Sequence, residues 1–217
     1  MQIVCILFPD LTQLDLTGPY EVFHRLPGAE VHLVAASLEP VMSEGGLAIV
    51  PTLTFQDAPQ ADVLFVPGGT GVNEAMLDDD LIAFLRRQGE RAAWVTSACT
   101  GALLLGAAGL LAGFQAATHW ASMEFLEPFG AWPVAQRVVV SGNRLTGGGV
   151  TAGIDIALEL AARITTRRIA DEIQLAIEYG NWAESSEEVR TRVLEKLAPM
   201  KRTRARAVAE AAKKLSS

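Results

Sequence analysis

Strands with no polar face constrain this chain more than any other feature. Ile3-Val4-Cys5-Ile6-Leu7-Phe8 is a continuous apolar run of strand length, the pattern of a strand covered on both sides. Asp62-Val63-Leu64-Phe65-Val66 and Ala93-Trp94-Val95-Thr96-Ser97 read as two more strands. Glu30 to Ala36 and Leu47 to Pro51 are shorter candidates, and Arg137 to Thr146 reads as a hairpin around Ser141-Gly142-Asn143. Helical spacing separates these runs. Gly18-Pro19 precedes Tyr20 to Leu26, a short helix with Pro19 at its first position. Asp80 to Glu90, Thr100 onward, Thr151 to Ile164 and Thr166 to Tyr179 are further predicted helices. The alternation predicts an α/β domain over residues 1–183 with a mostly parallel sheet. Ligands of such sheets bind beyond the carboxyl ends of the strands, so the loops that follow the apolar runs should carry the chemistry.

Composition narrows the classes. A chain of 217 residues buries enough surface to fold without disulfides or a structural metal. Two cysteines and three histidines (His24, His32, His119), at no zinc-finger spacing, predict no metal site. The start, Met1-Gln2-Ile3-Val4, runs directly into strand sequence without the pattern of a secretory signal, which predicts a cytoplasmic protein. The longest uncharged apolar stretch, Gly101 to Phe114, is broken by glycines and too short to span a bilayer. The net charge of −7 argues against a globally cationic nucleic-acid binder. That charge is uneven, since residues 184–217 hold nine of the 18 Lys and Arg but only five of the 25 Asp and Glu. This segment, with Glu187 to Glu195 and Lys201 to Leu215 as its helices, reads as a basic helical C-terminal extension with solvated faces or as a partner-binding arm.

Three loops stand out. In Ser97-Ala98-Cys99-Thr100-Gly101, Cys99 sits between a strand and a helix, with small neighbours that allow the tight turn of a nucleophile elbow. The amino end of that helix is expected to favour the thiolate. Cys5, in mid-strand, reads as core. In Pro67-Gly68-Gly69-Thr70-Gly71, backbone amides can converge on an anion, and those of Gly69 and Thr100 together make a candidate oxyanion hole. No Gly-Lys-Ser/Thr follows, as a phosphate-binding P-loop requires. In Gln13-Leu14-Asp15-Leu16-Thr17-Gly18-Pro19, the residues alone make Asp15 a turn or capping residue.

Asp15-Leu16-Thr17-Gly18-Pro19, Pro67-Gly68-Gly69-Thr70-Gly71, Thr96-Ser97-Ala98-Cys99-Thr100-Gly101, Thr118-His119-Trp120 and the segment from Thr146-Gly147-Gly148-Gly149 to Asp155 occur in the order and spacing of the DJ-1/PfpI superfamily. Over residues 2 to about 180 the chain resembles its isocyanide hydratases most. The resemblance implies a flavodoxin-like three-layer fold, a homodimer, no cofactor, and hydration of an isocyanide to an N-formamide. Cys99 then becomes the nucleophile, Asp15 its acid/base partner and Thr100 the residue after the nucleophile. The superfamily often has a glutamate near the nucleophile on the helix after the first strand, so Glu21 competes with Asp15, which matches the hydratase motif.

Neighbouring branches place a histidine after the cysteine, where Thr100 stands here. His119 has no evident carboxylate to orient it as a base, and His24 and His32 read as ordinary helix and strand residues. The regulator branch adds a helix-turn-helix module, which the 34 residues given beyond 183 are not expected to supply. Gly69 and Thr70 are expected to line the site, and Trp120 and Trp132 to supply an apolar wall. In the expected mechanism, the Cys99 thiolate attacks the terminal carbon of R–N≡C, a thioimidate forms, and water releases the formamide. Two alternatives stand beside it. One is a glyoxalase-like hydratase of 2-oxoaldehydes, and the other is a non-catalytic redox sensor or regulator built on oxidation of Cys99.

Overall fold

The computed structural model describes residues 1–180 and 185–199. Its main sheet has seven strands: β1 (Gln2–Ile6), β2 (Glu30–Ala35), β3 (Leu53–Thr54), β4 (Val63–Val66), β5 (Trp94–Ser97), β6 (Val138–Ser141) and β7 (Arg144–Gly147). They lie in the order β6-β7-β5-β4-β1-β2-β3, all parallel except the edge strand β6, which closes the expected hairpin with β7. The central runs are buried residue after residue, Ile3 to Ile6 and Val63 to Val66, because both faces of the sheet are covered. This is the flavodoxin-like, doubly wound arrangement. The chain crosses to one side of β1 for β2 and β3 and to the other for β4 and β5, so the switch point lies between β1 and β4.

Besides the single turn Val72–Ala75 and the helical residues 187–199, the helices are α1 (Gln13–Phe23), α2 (Asp79–Gly89), α3 (Gly101–Ala107), α4 (Ala152–Ile164) and α5 (Arg167–Ala176). α2 begins where its sequence predicts, with the Asp78 carboxylate accepting from the amides of Asp80 and Leu81 at 3.0 and 3.1 Å. α1 differs from expectation. It starts at Gln13 rather than Pro19, and Pro19 lies inside it. Proline costs the helix one backbone hydrogen bond, but its fixed φ is already helical. Burial of Leu16, Pro19, Val22 and Phe23 on the same element outweighs that loss. Phe23 meets Phe65 of β4 edge to face, with ring centres 5.5 Å apart. The earlier start moves Asp15 from a loop into the first helical turn.

The chain divides into two compact units, the first ending at Ala161 and the second beginning at Ala162. Within the second, α5 is capped by the Thr166 hydroxyl, and residues 187–199 are helical. Glu172 is 3% exposed. It pairs with Arg168 at 2.9 Å, with Arg192 at 2.7 Å, and with Lys196. Two cations of the basic segment thus neutralise a buried carboxylate of the same unit. The expected helix Lys201 to Leu215 lies outside the described residues. Among the described residues, no helix is long and apolar enough to cross a membrane.

Candidate active site

Three loops at the carboxyl ends of β1, β4 and β5 meet beside the switch point. The Thr12 amide donates to the Gly68 carbonyl at 2.8 Å, and Leu11 bridges to Gly69 on one side and Ser43 on the other. Past β5, the Ala98 amide still donates to Val66 at 3.1 Å, and the chain then turns sharply. Cys99 has φ = 52°, a left-handed conformation that is costly for a residue with a Cβ. Two contacts hold it there. The buried Thr118 hydroxyl donates to the Cys99 carbonyl at 2.9 Å, and the Gly101 amide closes the turn on Ala98 at 3.0 Å. Gly101 is obligatory, because a Cβ would fall 2.3 Å from the Val66 carbonyl oxygen.

Asp15 reaches the same point from α1. It is fully buried, and its Oδ2 accepts from the Gly68 amide at 3.0 Å. The Asp15 side chain therefore serves the β4 loop and does not cap α1. Its Oδ1 is buried without a nitrogen or oxygen donor, and the Cys99 thiol interacts with the carboxyl. Burial pushes the Asp15 carboxyl up to about 7, against the lowering pull of the Gly68 amide and the Cys99 thiol; the Glu44 charge adds to the rise. A Cβ on Gly68 would lie 2.6 Å from both Thr100 N and Thr100 Oγ1 and 2.9 Å from Asp15 Oδ2, so only glycine permits the three loops to close together.

Two features of this region differ from expectation. The surroundings of the Cys99 thiol oppose the thiolate rather than favour it. Burial and the Asp15 charge push it up to about 12, and the Thr100 amide and hydroxyl only partly oppose this. α3 has seven residues, and its terminal field loses to desolvation. Nor do Gly69 and Thr70 offer open amides. Gly69 N–H donates to Thr100 Oγ1 at 3.0 Å, and Thr70 N–H to Glu44 Oε2 at 3.1 Å. Of the proposed oxyanion donors, the Thr100 amide alone is turned toward the sulfur.

Cys99 is 5% exposed and lines a cavity of about 390 Å³. Gly69, Thr70 and Thr100 line it, with Val72, Leu103, Phe125 and Val150 as its apolar wall. Trp120 is not part of this wall. It is 82% exposed, and Trp132 on a separate short strand is 63% exposed. Phe125, within the 3₁₀ segment Trp120–Phe129, supplies the aromatic surface instead. His119 lines the cavity, but its Nδ1 accepts from the Ala121 amide at 3.4 Å, so backbone orients the ring. Glu21 is half-exposed and pairs with Arg25 at 2.7 Å, away from Cys99. His24 adjoins Glu21 on α1, and His32 bonds Gln2 at 2.6 Å. Asp155 pairs with Arg137 at 2.6 Å.

Sequence reasoning missed Glu44. Its Oε1 accepts from the Thr12 hydroxyl at 2.6 Å, and its carboxylate lines the cavity. The Thr12 hydroxyl, a strong cap for α1 by type, is committed to Glu44 instead. Among the described residues, no group of three His, Cys, Asp or Glu side chains is placed to hold a metal ion.

The family model described as DJ-1/PfpI matches residues 1–163. The chain belongs to the DJ-1/PfpI family. Within this family it is 52% identical over 179 residues to an isonitrile hydratase of Pseudomonas putida, covering 82% of this chain and 78% of that one. A ThiJ/PfpI family protein from Pseudomonas syringae superposes with a TM-score of 0.81 at 43% identity, covering 91% of this chain and 86% of that one. A helix-turn-helix transcriptional regulator of Pseudomonas aeruginosa, GbdR, is 28% identical over 77% of this chain, which spans 48% of that protein. DJ-1/PfpI membership thus agrees with the flavodoxin-like sheet and with the five motifs in their order along the chain.

Proposed function

We propose that this chain hydrates an isocyanide, R–N≡C, to the N-substituted formamide, with Cys99 as nucleophile and Asp15 as the group that moves its proton. The observation that carries the reading is the buried Asp15 carboxyl, raised to about 7, beside a cysteine at a strained turn that lines a cavity. Similarity to an isonitrile hydratase supplies the substrate class.

With the thiol pushed up to about 12, a preformed thiolate is scarce, and the proton leaves as the sulfur attacks. Sulfur bonds to the terminal carbon of the isocyanide. The thiol proton passes to Asp15 and from there to that same carbon, giving the thioimidate R–N=CH–S–Cys99. Asp15, ionised again, takes a proton from water as the oxygen adds to the carbon and passes that proton to the nitrogen. Collapse of R–NH–CH(OH)–S breaks the carbon–sulfur bond, releases R–NH–CHO and returns the proton to sulfur. The Thr100 amide stabilises negative charge on sulfur in both directions. In this reading Val72, Leu103, Phe125 and Val150 hold the substituent R. A hydro-lyase working as a homodimer, without a cofactor, completes the proposal and rests on the family resemblance.

A carboxylic acid near neutrality is the right partner for this cycle, because it accepts and returns a proton at similar cost. The test is a side-by-side assay of purified protein with benzyl isocyanide and methylglyoxal. Formation of N-benzylformamide, with negligible consumption of methylglyoxal, is the expected result. Turnover of methylglyoxal alone overturns it in favour of the 2-oxoaldehyde hydratase.

A further inference from the structure

The Cys99 cavity carries one polar side chain whose charge the proposed chemistry does not use. Glu44 stands on the loop after Ser43, outside the main sheet, and both its oxygens are fixed: Oε1 by the Thr12 hydroxyl at 2.6 Å, Oε2 by the Thr70 amide at 3.1 Å. Its backbone amide donates to Leu11 at 3.1 Å, so the loop itself is tied to the segment between β1 and α1. Held this way, the carboxylate cannot swing out to solvent without breaking two hydrogen bonds. The Thr12 hydroxyl, then the Thr70 contact, keep it below the usual carboxylate range despite partial burial. No lysine or arginine is among the described residues lining the cavity, and His119 is its one further titratable wall residue besides Cys99. A sphere of about 390 Å³ is about 9 Å across, close to the screening length of about 8 Å at physiological ionic strength, so any ligand charge inside feels Glu44.

We propose that Glu44 sets the charge specificity of this cavity, admitting neutral and cationic electrophiles to Cys99 and turning away those that carry an anionic substituent. A carboxylate-bearing ligand meets the fixed Glu44 charge with no cation to compensate it, and Asp15 below adds a second negative charge when ionised. Asn73, an exposed residue that also lines the cavity, carries no charge to compensate it. The inference rests on the isocyanide reading only for the identity of the electrophile turned over. It then names the substrate class more narrowly: isocyanides with neutral or cationic substituents rather than isocyano acids.

Iodoacetamide and iodoacetate test the effect of charge without requiring any turnover. In both, sulfur displaces iodide from the CH₂ carbon, a carbon–sulfur bond forms, and the thiol proton leaves to base. The reagents differ only in a neutral amide against a carboxylate. Rates of Cys99 alkylation are read by peptide mass spectrometry, which separates Cys99 from Cys5, and each is divided by the rate for free 2-mercaptoethanol, a neutral thiol. After that division the full chain is expected to disfavour iodoacetate over iodoacetamide by about tenfold, equivalent to about 1.4 kcal/mol. Glu44→Gln keeps an acceptor for Thr12 and should lose most of that discrimination, while Asn73→Lys, which leaves the Glu44 hydrogen bonds in place, should abolish or invert it. Equal normalised rates for the two reagents in the unmodified protein overturn the proposal, as does a ratio that neither variant moves. Failure of benzyl isocyanide turnover with the alkylation ratio intact would refute the hydratase reading and leave this inference standing.

Discussion

Cys5 and Cys99 belong to the same sheet, one within a strand and one just past the end of another, and their surroundings differ sharply. Cys5 sits in the middle of β1, flanked in register by Leu33 and Phe65, and is fully buried. Cys99 follows β5, 5% exposed, with φ = 52°, and lines a cavity. Burial pushes both thiols up. Thiol acidity therefore does not separate them. What separates them is a proton acceptor: Asp15 interacts with the Cys99 thiol, and burial alone shifts Cys5. In the proposed mechanism, reactivity at Cys99 comes from a carboxyl near neutrality beside a strained thiol at a strand end rather than from a resting thiolate.

The comparison breaks most sharply by substitution of the two cysteines. Cys99→Ala should reduce kcat/KM for benzyl isocyanide by about 10⁴-fold or more, the scale on which removal of a nucleophile acts. Cys5→Ala should leave kcat within about twofold and cost on the order of 1 kcal/mol of stability, read by denaturant unfolding, through the small void it opens. Loss of activity in Cys5→Ala without loss of folding would erase the distinction.

Asp15→Asn comes next, with an expected loss of about 10²- to 10⁴-fold. In the unmodified protein the acid limb of kcat/KM should fall as pH drops through about 7, where Asp15 takes up its proton. The residual rate of the variant should lack that limb. Stability carries the same signature with the opposite benefit. The folded chain keeps a proton on Asp15 that the unfolded chain releases near pH 4, so the contribution of Asp15 to stability is greatest below about pH 4 and declines as pH rises to about 7. Asp15→Asn removes that decline and should gain about 4 kcal/mol over the unmodified protein at pH 8 relative to pH 4. Parallel thermal melts at the two pH values measure it.

Smaller effects are expected from the residues that hold the loops together. Gly68→Ala pushes a methyl into Thr100 and Asp15 and should cost about 1–3 kcal/mol, with activity falling more than stability explains. Thr118→Val removes the hydrogen bond to the Cys99 carbonyl at the strained turn, at a cost of about 1 kcal/mol and about a tenfold loss in kcat. Activity unchanged in Thr118→Val would show that the turn holds its shape without the hydroxyl.

The parts of this molecule that are legible in sequence are those fixed by local pattern. Apolar runs such as Ile3 to Phe8 have no polar face, so they announce a buried parallel sheet, and small residues around Cys99 announce a tight turn. Properties set by residues distant in the chain are not legible. The start of α1 is hidden because Gly18-Pro19 imitates a helix beginning while Thr12, the residue at the true boundary, bonds Glu44 instead of its own helix. Glu44 itself lies in Ser43-Glu44-Gly45-Gly46, which reads as a surface turn, and only the fold brings it to the cavity of Cys99. Helix position suggests a thiolate at Cys99. Desolvation and a carboxyl from 84 residues earlier in the chain decide otherwise. The Gly68-Gly69-Thr70-Gly71 amides look available because sequence shows donors but not the acceptors, Asp15, Thr100 and Glu44, that occupy three of them.

Rapid-quench mass spectrometry during turnover of benzyl isocyanide tests the central claim most directly. A transient mass increase of one isocyanide is expected on the peptide carrying Cys99, none on the peptide carrying Cys5, and no adduct or formamide from Cys99→Ala. Formamide produced at full rate by Cys99→Ala, with no substrate mass on either cysteine of the unmodified protein, would contradict it.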